Sequence, residues 1–537
     1  MLRLWTKAAS TSRTSHRFWC QKRCLSTSQF DPSIRDFTSA LISKQPAFQV
    51  QPSTVHILRN PAQFYDTLLE MINKAERRIF ISSLYIGSEE TELIDALSRR
   101  LRERRDLKLQ MVLDLNRSTR PGRDSTAKIL LPLLQEFPSR VTISMFRSPS
   151  LRGIMAKIVP PRFNEGWGTW HAKIYGVDED VMISGANLNK SYFTDRQDRY
   201  LYFTSQKHLA QYCHDFMEIV GSFSYRLLPS VSSSTPLMPA PSNPHSYSHD
   251  DYTLCWPNFD THPHHFNSIA ETALSQFQKS QCERSRQLGV SDPKASAEMP
   301  ILIPIIQAGQ FNVREEESTF QLLFRHLAKF TEKRRPLLDL TSGYFSLYRP
   351  YQDLVLNAPN VDCRIVASSP KANGFYGSKG ISGRIPEGYT LYEQRFMRAV
   401  AKAGRLWRGN GQGVLLTEWE KPGWTYHAKG IWLSLTSSTS PILTLFGSTN
   451  LNSRSAHIDT ELSFLMILPS ETEPSTAAAA VTDPSDTSPT DSSLSALRRD
   501  LALEIEGIRS NATSWKGGER KVRWTTKVIV WLVKGML

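Results

Sequence analysis

The 537-residue sequence contains few cysteines and no long hydrophobic run. Its six cysteines form no Cys-x-x-Cys pair, so neither a disulfide framework nor a zinc ribbon is indicated. No segment approaches the roughly 20 consecutive apolar residues that a membrane-spanning helix needs. The uncharged stretch 299–313 carries two prolines and is predicted to form a buried strand and turn instead. The sequence therefore predicts a protein that is soluble or that binds a membrane surface peripherally.

Acidic residues are the second shortage, with 51 Asp and Glu against 65 Lys and Arg and a formal net charge of +14. An excess of this size favours an anionic partner: nucleic acid, phosphorylated metabolites or an acidic membrane. Residues 1–30 contain six basic residues, no acidic residue and many Ser and Thr. This composition is typical of a mitochondrial transit peptide, and the apolar core of a secretory signal is missing; a disordered basic tail is the alternative.

Segments rich in Pro, Ser and Thr divide the chain into units. Such segments have little apolar surface to bury, so they need not pack. Between them, two stretches share the same order of predicted strands and helices, which indicates a duplicated α/β unit. The predicted organisation is a transit peptide at 1–30, a first domain at 50–228, a linker region at 229–298, a second domain at 299–468, a disordered linker at 469–493, and a C-terminal helix with a possible membrane-interface segment at 494–537.

Each half contains one His-x-Lys motif that follows an aromatic residue. WHAKIYGVD supplies His171 and Lys173, and YHAKGIWLS supplies His427 and Lys429. Because side chains alternate along a strand, the histidine and lysine of each motif are predicted to point to the same face. A single copy has a simpler explanation, a core histidine followed by a solvent-exposed lysine. Two copies at matched positions of a repeat indicate a shared function.

Small residues and the sequence Asn-Leu-Asn follow each motif. The small residues allow the backbone to come close to a ligand at this point. When the two halves are aligned on Asn-Leu-Asn, each also has an acid at the same relative position further along. The predicted substrate-binding residues are Asn187, Asn189, Asp198, Asn450 and Asn452.

Paired histidines and lysines of this kind suit phosphoryl transfer without a metal ion. A neutral imidazole can attack phosphorus and hold a covalent intermediate, while a second imidazole protonates the leaving oxygen and later deprotonates the incoming hydroxyl. Lysines and asparagine amides supply the positive field that Mg²⁺ supplies in other phosphoryl-transfer enzymes. An acid such as Asp178 or Glu461 can orient a histidine and fix its tautomer. The predicted catalytic residues are His171, Lys173, Asp178, His427, Lys429 and Glu461, with no metal ligand.

The repeated His-Lys-Asp layout resembles the phospholipase D superfamily over residues 50–470. The stretches LDLNRSTRPGRDSTAKILLPLL and SSPKANGFYGSKGISGRIPEGYT are similar, more narrowly, to the eukaryotic phosphatidylglycerophosphate synthases of that superfamily. The resemblance implies two phospholipase-D-like α/β/α domains related by a pseudo-twofold axis, with one active site at their interface. The chain does not contain the Asp-Gly…Ala-Arg signature of the membrane-embedded CDP-alcohol phosphotransferases, so the histidine route is the expected one.

This resemblance also implies a reaction: CDP-diacylglycerol and sn-glycerol 3-phosphate give phosphatidylglycerophosphate and CMP, the committed step toward cardiolipin. His171 would be the nucleophile and His427 the general acid and base, while Lys173 and Lys429 would bind the phosphate. The implied reaction requires no cofactor, although assistance by a divalent ion stays open. The implied location is the mitochondrion, peripheral to the inner membrane on an anionic lipid surface, and no nucleic-acid partner is expected.

One position departs from the superfamily pattern: Ser434 stands where the second motif has an aspartate. Glu461 is therefore predicted to orient His427. Two alternatives stay open from the sequence: a phosphodiesterase that uses water on lipid or nucleic acid, and a non-catalytic protein that binds either. The basic segment 117–128 is a site for substrate phosphate or lipid headgroups, or else a solvated charged loop.

Overall fold

The computed structural model describes residues 27–122, 124–161, 163–230, 243–287, 298–470 and 492–533. Apart from residues 27–30, the predicted transit peptide lies outside the described residues. The same holds for residues 471–491 of the predicted disordered linker. Both therefore stay predictions.

The described residues form two ten-stranded sheets and one two-stranded sheet. The first large sheet is built from the first half of the chain and the second mainly from the second half. In chain order the strands are β1 (Phe48–Gln49), β2 (Val55–Leu58), β3 (Arg78–Ser82), β4 (Lys108–Asp114), β5 (Val141–Phe146), β6 (Ile174–Val177), β7 (Asp180–Ser184), β8 (Arg196–Gln197), β9 (Tyr200–Phe203), β10 (Tyr225–Pro229), β11 (Tyr247–Ser248), β12 (Tyr252–Cys255), β13 (Ile301–Ala308), β14 (Val313–Arg314), β15 (Leu337–Ser342), β16 (Asp362–Ser368), β17 (Val414–Trp419), β18 (Thr425–Tyr426), β19 (Lys429–Ser434), β20 (Pro441–Gly447), β21 (Glu461–Ile467) and β22 (Ala512–Ser514).

The two large sheets share one strand order. Part of the first sheet runs β5-β4-β3-β6-β7-β9-β2, and the matching part of the second runs β17-β16-β15-β19-β20-β21-β13. In both, the first three strands are parallel and every later neighbour is antiparallel. The prediction of a duplicated α/β unit is confirmed.

Helices pack on the sheets through apolar faces. In the second helix, Phe64, Leu68, Met71 and Ile72 are buried, as their helical spacing predicts. In chain order the helices are α1 (Pro32–Ile42), α2 (Pro61–Lys74), α3 (Thr91–Glu103), α4 (Leu115–Ser118), α5 (Thr126–Ile129), α6 (Leu131–Glu136), α7 (Gly153–Ile158), α8 (Lys190–Thr194), α9 (Lys207–Gly221), α10 (Asn267–Gln287), α11 (Glu315–Leu327), α12 (Arg349–Leu356), α13 (Ile385–Lys402), α14 (Ser453–His457), α15 (Ser493–Arg509) and α16 (Trp524–Leu532). Short 3₁₀ turns lie at Pro52–Thr54, Asn164–Trp167, Gly309–Phe311, Gly380–Arg384 and Gly517–Glu519.

Most of the segment between the two halves folds, contrary to the prediction of a linker region at 229–298. Residues 243–287 contain β11, β12 and the 21-residue helix α10. Trp256 and Leu274 are buried, and β12 extends the first sheet by pairing with β10. The prediction is wrong for 243–287 because the Pro- and Ser-rich composition is concentrated before residue 243, while the sparser apolar residues beyond it suffice to pack on the first sheet.

The two sheets pack against each other through aromatic side chains and helix α15. The rings of Phe203 in β9 and Phe446 in β20 are stacked with centroids 6.0 Å apart. Helix α15 packs on both β2 and β20, so its apolar face bridges the two halves rather than covering only the second. Its Glu504 forms a buried ion pair with Arg199 of the first half at 2.8 Å. The halves are therefore joined along a buried interface, where the site described below lies.

Helix α16 is the described part of the predicted C-terminal membrane-interface segment. It packs on α13 and buries Thr526 and Val530, while Trp524 and Trp531 are 74% and 71% exposed. None of the helices in the described ranges combines the length and apolarity that crossing a bilayer demands.

Candidate active site

His171 lies where the two halves of the chain meet. Its backbone N–H donates to the carbonyl of Thr460, from the other half, over 2.9 Å. The N–H of Thr460 in turn donates to the carbonyl of Thr169 over 2.9 Å, which completes a short parallel bridge. The bridge brings the next residue along, Glu461, beside the imidazole of His171.

Glu461 holds the His171 imidazole in one orientation. Nδ1 of His171 lies 2.9 and 3.0 Å from the two carboxylate oxygens. The hydroxyls of Ser448 and Ser455 also donate to this carboxylate, the latter over 2.7 Å. Because an ionised carboxylate only accepts hydrogen bonds, Nδ1 carries the proton and Nε2 presents its lone pair.

His427 is held in the same way, with the two halves exchanged. Strand β18, which precedes it, pairs in parallel with β8 of the first half, and the His427 N–H donates to the carbonyl of Gln197 over 2.8 Å. Nδ1 of His427 then lies 2.7 Å from Oδ2 of Asp198. The prediction that Glu461 orients His427 is wrong, and Asp198, predicted to bind substrate, is the acid at His427. The physical reason is the pseudo-twofold arrangement, which sets each histidine beside the acid of the opposite half.

Burial sets the protonation of these groups. Burial lowers the pKa of His171, although Glu461 partly opposes this effect. Burial and the nearby Lys429 together lower the pKa of His427 well below the usual value. Burial alone would raise the pKa of Glu461, but its interactions with His171 and Lys173 outweigh burial and lower that pKa to about 2. At neutral pH the site therefore contains neutral imidazoles facing ionised carboxylates.

Both motif lysines are buried in the same site. Lys173 Nζ donates to the carbonyl of His171 over 2.6 Å, and Lys429 Nζ lies 3.3 Å from Oδ2 of Asp198. Burial lowers the pKa of Lys173, Glu461 raises it, and Lys429 lowers it further. The two lysines therefore interact electrostatically. A Cβ at Gly185 would overlap both Lys429 Nζ and Asp198, which explains the glycine there. The site can therefore hold an anionic phosphoryl group near two imidazoles.

Two of the predicted substrate-binding asparagines keep an unused acceptor. Nδ2 of Asn187 donates to the hydroxyl of Tyr192 over 3.1 Å. Within the described part of the chain, Oδ1 of Asn187 and Oδ1 of Asn450 are buried without a hydrogen-bond partner. Such atoms are uncommon in folded proteins, and a bound group is one explanation for them. That Asn187 and Asn450 bind substrate stays a prediction.

The other two asparagines have a structural role. Oδ1 of Asn189 accepts from the N–H of Ser191 at the start of α8, and Oδ1 of Asn452 accepts from the N–H of Ser455 at the start of α14. Both are N-caps, which is what asparagine before a helix commonly provides. These contacts use only Oδ1 of each side chain, so that Asn189 and Asn452 also bind substrate stays a prediction.

Comparisons with known proteins identify the family. A family model described as "Cardiolipin synthase, PLD-like domain" matches residues 68–220. The chain is 34% identical over 454 residues to a Dictyostelium discoideum protein named as a probable CDP-diacylglycerol–glycerol-3-phosphate 3-phosphatidyltransferase, covering 81% of this chain and 73% of that protein. It is 35% identical over 436 residues to the mitochondrial protein of that name from Mus musculus, covering 79% of this chain and 76% of that protein. The chain belongs to this family of phosphatidyltransferases.

A solved structure supports the fold of this phosphatidyltransferase. The structure superposes on the crystal structure of phosphatidylserine synthase from Haemophilus influenzae with a TM-score of 0.62 and 17% sequence identity. The match covers 94% of this chain and 99% of the synthase chain. At this identity the likeness shows the fold alone. The predicted fold of two phospholipase-D-like domains is confirmed.

Asp178 lies outside the site of the phosphatidyltransferase. It follows β6 in the turn to β7, with φ of 52°, and its carboxylate accepts hydrogen bonds from the N–H groups of Glu76, Arg77 and Arg78 at 2.8, 2.8 and 3.0 Å. These three N–H groups lie just before β3 and at its first residue, at the end of the sheet opposite His171. The prediction that Asp178 is catalytic is wrong because the carboxylate is used to hold this turn.

Two tyrosines that the sequence did not mark as site residues contact His427. The rings of Tyr192 and Tyr344 lie 5.2 and 5.3 Å from the His427 ring, both edge-on. The Tyr192 hydroxyl is 3.4 Å from Nε2 of His427. Tyr344 follows β15 closely, at the same place as Tyr85 after β3, and this repeated position was the available signal.

One group in the described part of the chain has the geometry to hold a metal ion. His214, Asp215 and Glu218 on α9 offer ligand atoms that all lie within 4.8 Å of one another. Asp215 already accepts hydrogen bonds from Gln211 and Gln281. This cluster contains none of the site residues, so no step of the chemistry below is assigned to it.

Proposed function

We propose that the protein transfers a phosphatidyl group from CDP-diacylglycerol to sn-glycerol 3-phosphate, giving phosphatidylglycerophosphate and CMP. The observation that carries this proposal is the reciprocal arrangement of the site, in which His171 is held by Glu461 at 2.9 Å and His427 by Asp198 at 2.7 Å. Two imidazoles fixed in this way suit two successive displacements at one phosphorus atom. The names of the relatives supply the two substrates.

In the first step, Nε2 of His171 attacks the phosphorus that carries the diacylglycerol. A bond forms between this nitrogen and phosphorus, and the bond from phosphorus to the oxygen of CMP breaks. CMP leaves as a stable anion, so its departing oxygen needs no proton and His427 stays in the neutral form that the second step requires. Lys173 and Lys429 stabilise the negative charge that spreads over the phosphoryl oxygens. Glu461 stabilises the positive charge that develops on the His171 ring.

In the second step, the acceptor hydroxyl attacks the phosphorus of phosphatidyl-His171. A phosphorus–oxygen bond forms, the bond to Nε2 of His171 breaks, and His427 takes the hydroxyl proton. Burial lowers the pKa of His427, which favours the neutral form that this base needs. Asp198 accepts from Nδ1 and stabilises the imidazolium that forms.

The test is an incubation of the protein with CDP-diacylglycerol in mixed micelles, with and without glycerol 3-phosphate. CMP and phosphatidylglycerophosphate that appear only with the acceptor are the expected result. CMP with phosphatidic acid, indifferent to the acceptor, would instead indicate a phosphodiesterase that uses water. A folded protein that releases no CMP in either incubation would rule out the proposal.

We further propose that the protein works in the mitochondrion, at an anionic membrane surface. The proposal is supported by α16, which exposes Trp524, Val528 and Trp531 beside the basic Arg523 and Lys527. Tryptophan and basic residues together suit the interface of an anionic bilayer. Arg523 also pairs with Glu387 of α13 at 2.7 Å, and Tyr389 of α13 packs on Tyr344 beside His427. Helix α16 is thus attached to an element that lines the site.

Vesicle co-sedimentation tests this surface, with phosphatidylcholine vesicles prepared with and without phosphatidylglycerol. Trp524→Ala/Trp531→Ala should reduce binding to the anionic vesicles at least several-fold because both exposed rings are lost. Phe259→Ala is the matched control, since Phe259 is 57% exposed and lies outside α16. Equal binding by all three proteins would contradict the assignment of α16 to the membrane.

A further inference from the structure

Arg196 is a half-buried cation beside the site that lacks a carboxylate partner. Its Nε donates to Oγ1 of Thr425 over 2.9 Å. Nearby arginines are paired, Arg199 with Glu504 at 2.8 Å and Arg454 with Asp459 at 2.7 Å. No carboxylate of the described residues lies within ion-pair distance of Arg196.

An unpaired cation in this position indicates a missing anion. Withdrawing a charge from water costs free energy unless an opposite charge or hydrogen bonds replace the water. The guanidinium carbon of Arg196 lies 4.5 Å from the centre of the Tyr192 ring, a contact that offsets only part of this cost. A bound anion would supply the rest.

Phenols and a glycine surround the guanidinium of Arg196. Arg196 Nη2 and the Tyr344 hydroxyl both approach Gly374, where an added Cβ would lie 3.1 and 3.2 Å from them. Tyr192 and Tyr344 are the two rings that contact His427. Arg196 therefore lies against a ring that itself contacts the histidine proposed to deprotonate the acceptor.

A second arginine, Arg117, lies near the same group of phenols. Its guanidinium carbon is 4.3 Å from the centre of the Tyr85 ring, and its Nη1 lies 3.5 Å from Glu165. Burial raises the pKa of Tyr344, Arg196 lowers it, Tyr85 raises it again and Arg117 lowers it, so both arginines act on the same phenol. The basic segment 117–128 therefore contributes at least Arg117 to the site rather than forming only a solvated loop.

We propose that Arg196, with Arg117 and the hydroxyls of Tyr192 and Tyr344, binds the phosphate group of the acceptor, a phosphate monoester dianion. The inference rests on the proposed function and deepens it. Lys173 and Lys429 are already assigned to the oxygens of the reacting phosphoryl group, so Arg196 is an additional cation near His427. The acceptor has a three-carbon backbone, so its phosphate must bind close to the base that takes its hydroxyl proton.

This subsite gives the acceptor an advantage over water. A water molecule has no phosphate group that the subsite could bind. Glycerol 3-phosphate is bound through its phosphate, and its hydroxyl is thereby oriented toward phosphorus. Arg196 is therefore a specificity-determining residue for the second step and has no part in the first.

The test compares Arg196→Gln with the unaltered protein in two assays. The first measures KM for glycerol 3-phosphate, and the second follows exchange of labelled CMP into CDP-diacylglycerol without acceptor, which reports the first step alone. Arg196→Gln should raise KM for glycerol 3-phosphate by about ten- to a hundredfold, as the loss of a charged hydrogen bond predicts. Exchange should stay within about twofold. Transfer to glycerol, which lacks the phosphate, should not weaken.

Two further variants keep the test decisive if Arg196→Gln folds poorly. Gly374→Ala places a methyl group 3.1 Å from Arg196 Nη2 and 3.2 Å from the Tyr344 hydroxyl, so it should also raise KM for glycerol 3-phosphate while exchange continues. Arg408→Gln, an exposed arginine beyond α13, is the matched control and should change neither assay. Weakened exchange in Arg196→Gln with unchanged KM for glycerol 3-phosphate would assign Arg196 to the diphosphate of CDP-diacylglycerol and overturn the inference. An unaltered protein that catalyses neither exchange nor transfer would overturn the proposed function instead.

Discussion

Of the three positions that define the His-Lys-Asp motif, only the last differs between the two halves, with Asp178 in the first and Ser434 in the second. The structure shows why this difference is tolerated. Asp178 holds three backbone N–H groups at the start of β3, those of Glu76, Arg77 and Arg78. It contacts neither histidine. The absence of an acid from this position in the second motif therefore removes no contact to either histidine.

The second half also lacks one of the groups that such an acid would hold. In the first half Asp178 lies opposite Arg78, and in the second half Ser434 pairs with Leu337. Leu337 is thus equivalent to Arg78, and Pro336 is equivalent to Arg77. Proline has no N–H to donate. The aspartate and one of its three backbone donors are thus absent together, as expected if the aspartate of the motif stabilises a turn.

The acids that do act on the histidines are found by crossing between the halves. Glu461 belongs to the second half and holds His171, while Asp198 belongs to the first half and holds His427. Each half alone therefore has a histidine without its acid. The comparison shows that the functional unit is a histidine with the opposite half's carboxylate, and not the contiguous motif.

The largest expected effect separates the two histidines. His171→Ala should abolish both transfer and CMP exchange, with losses on the order of 10⁴-fold or more, because no nucleophile remains. His427→Ala should slow transfer by about 10²- to 10⁴-fold but still form phosphatidyl-enzyme, since CMP leaves as a stable anion. Mass spectrometry checks this on protein that is denatured at alkaline pH after addition of CDP-diacylglycerol, since the nitrogen–phosphorus bond is labile in acid. An adduct in His171→Ala and none in His427→Ala would reverse the two roles.

A smaller effect is expected when the crossed acids are neutralised. Glu461→Gln and Asp198→Asn should each lower kcat by about 10²- to 10⁴-fold, because the amide can hold the wrong tautomer and leaves the imidazolium unstabilised. Each carboxylate raises the pKa of its own histidine, so its removal should also move the acid limb of the pH profile to lower pH. Profiles of kcat/KM against pH measure this. Acid limbs that do not move in either variant would contradict the pairing.

The smallest effect on activity is expected at the position where the motifs differ. Asp178→Asn should lower the free energy of unfolding by about 1–3 kcal/mol, since an amide oxygen replaces a carboxylate that accepts three N–H groups. Ser434→Ala should change it by no more than about 0.5 kcal/mol. Urea denaturation measures both. The folded variants should keep kcat within about twofold, and a large loss of kcat in folded Asp178→Asn would restore a catalytic role for this residue.

The repeat, the order of strands and helices along each half and the meeting of both His-x-Lys motifs in one site were predictable because they follow from local pattern and spacing. The linker prediction failed at 243–287, where apolar residues are sparse yet sufficient for a helix to pack on an existing sheet. The N-cap roles of Asn189 and Asn452 were missed because a capping asparagine and a substrate-binding one look alike in a single sequence. Tyr192 and Arg196 were missed because each belongs to the site only through contacts made across the two halves.

The sequence by itself determined the family, the duplicated α/β architecture and the four motif residues His171, Lys173, His427 and Lys429. These depend on residue type and on spacing along the chain, which the sequence displays directly. Only the tertiary structure decided which acid serves which histidine, because the two halves are nearly equivalent and a linear alignment cannot tell a partner within one half from a partner across the interface. The unpaired charge of Arg196 was likewise decided there, since a cation lacks a partner only with respect to everything folded around it.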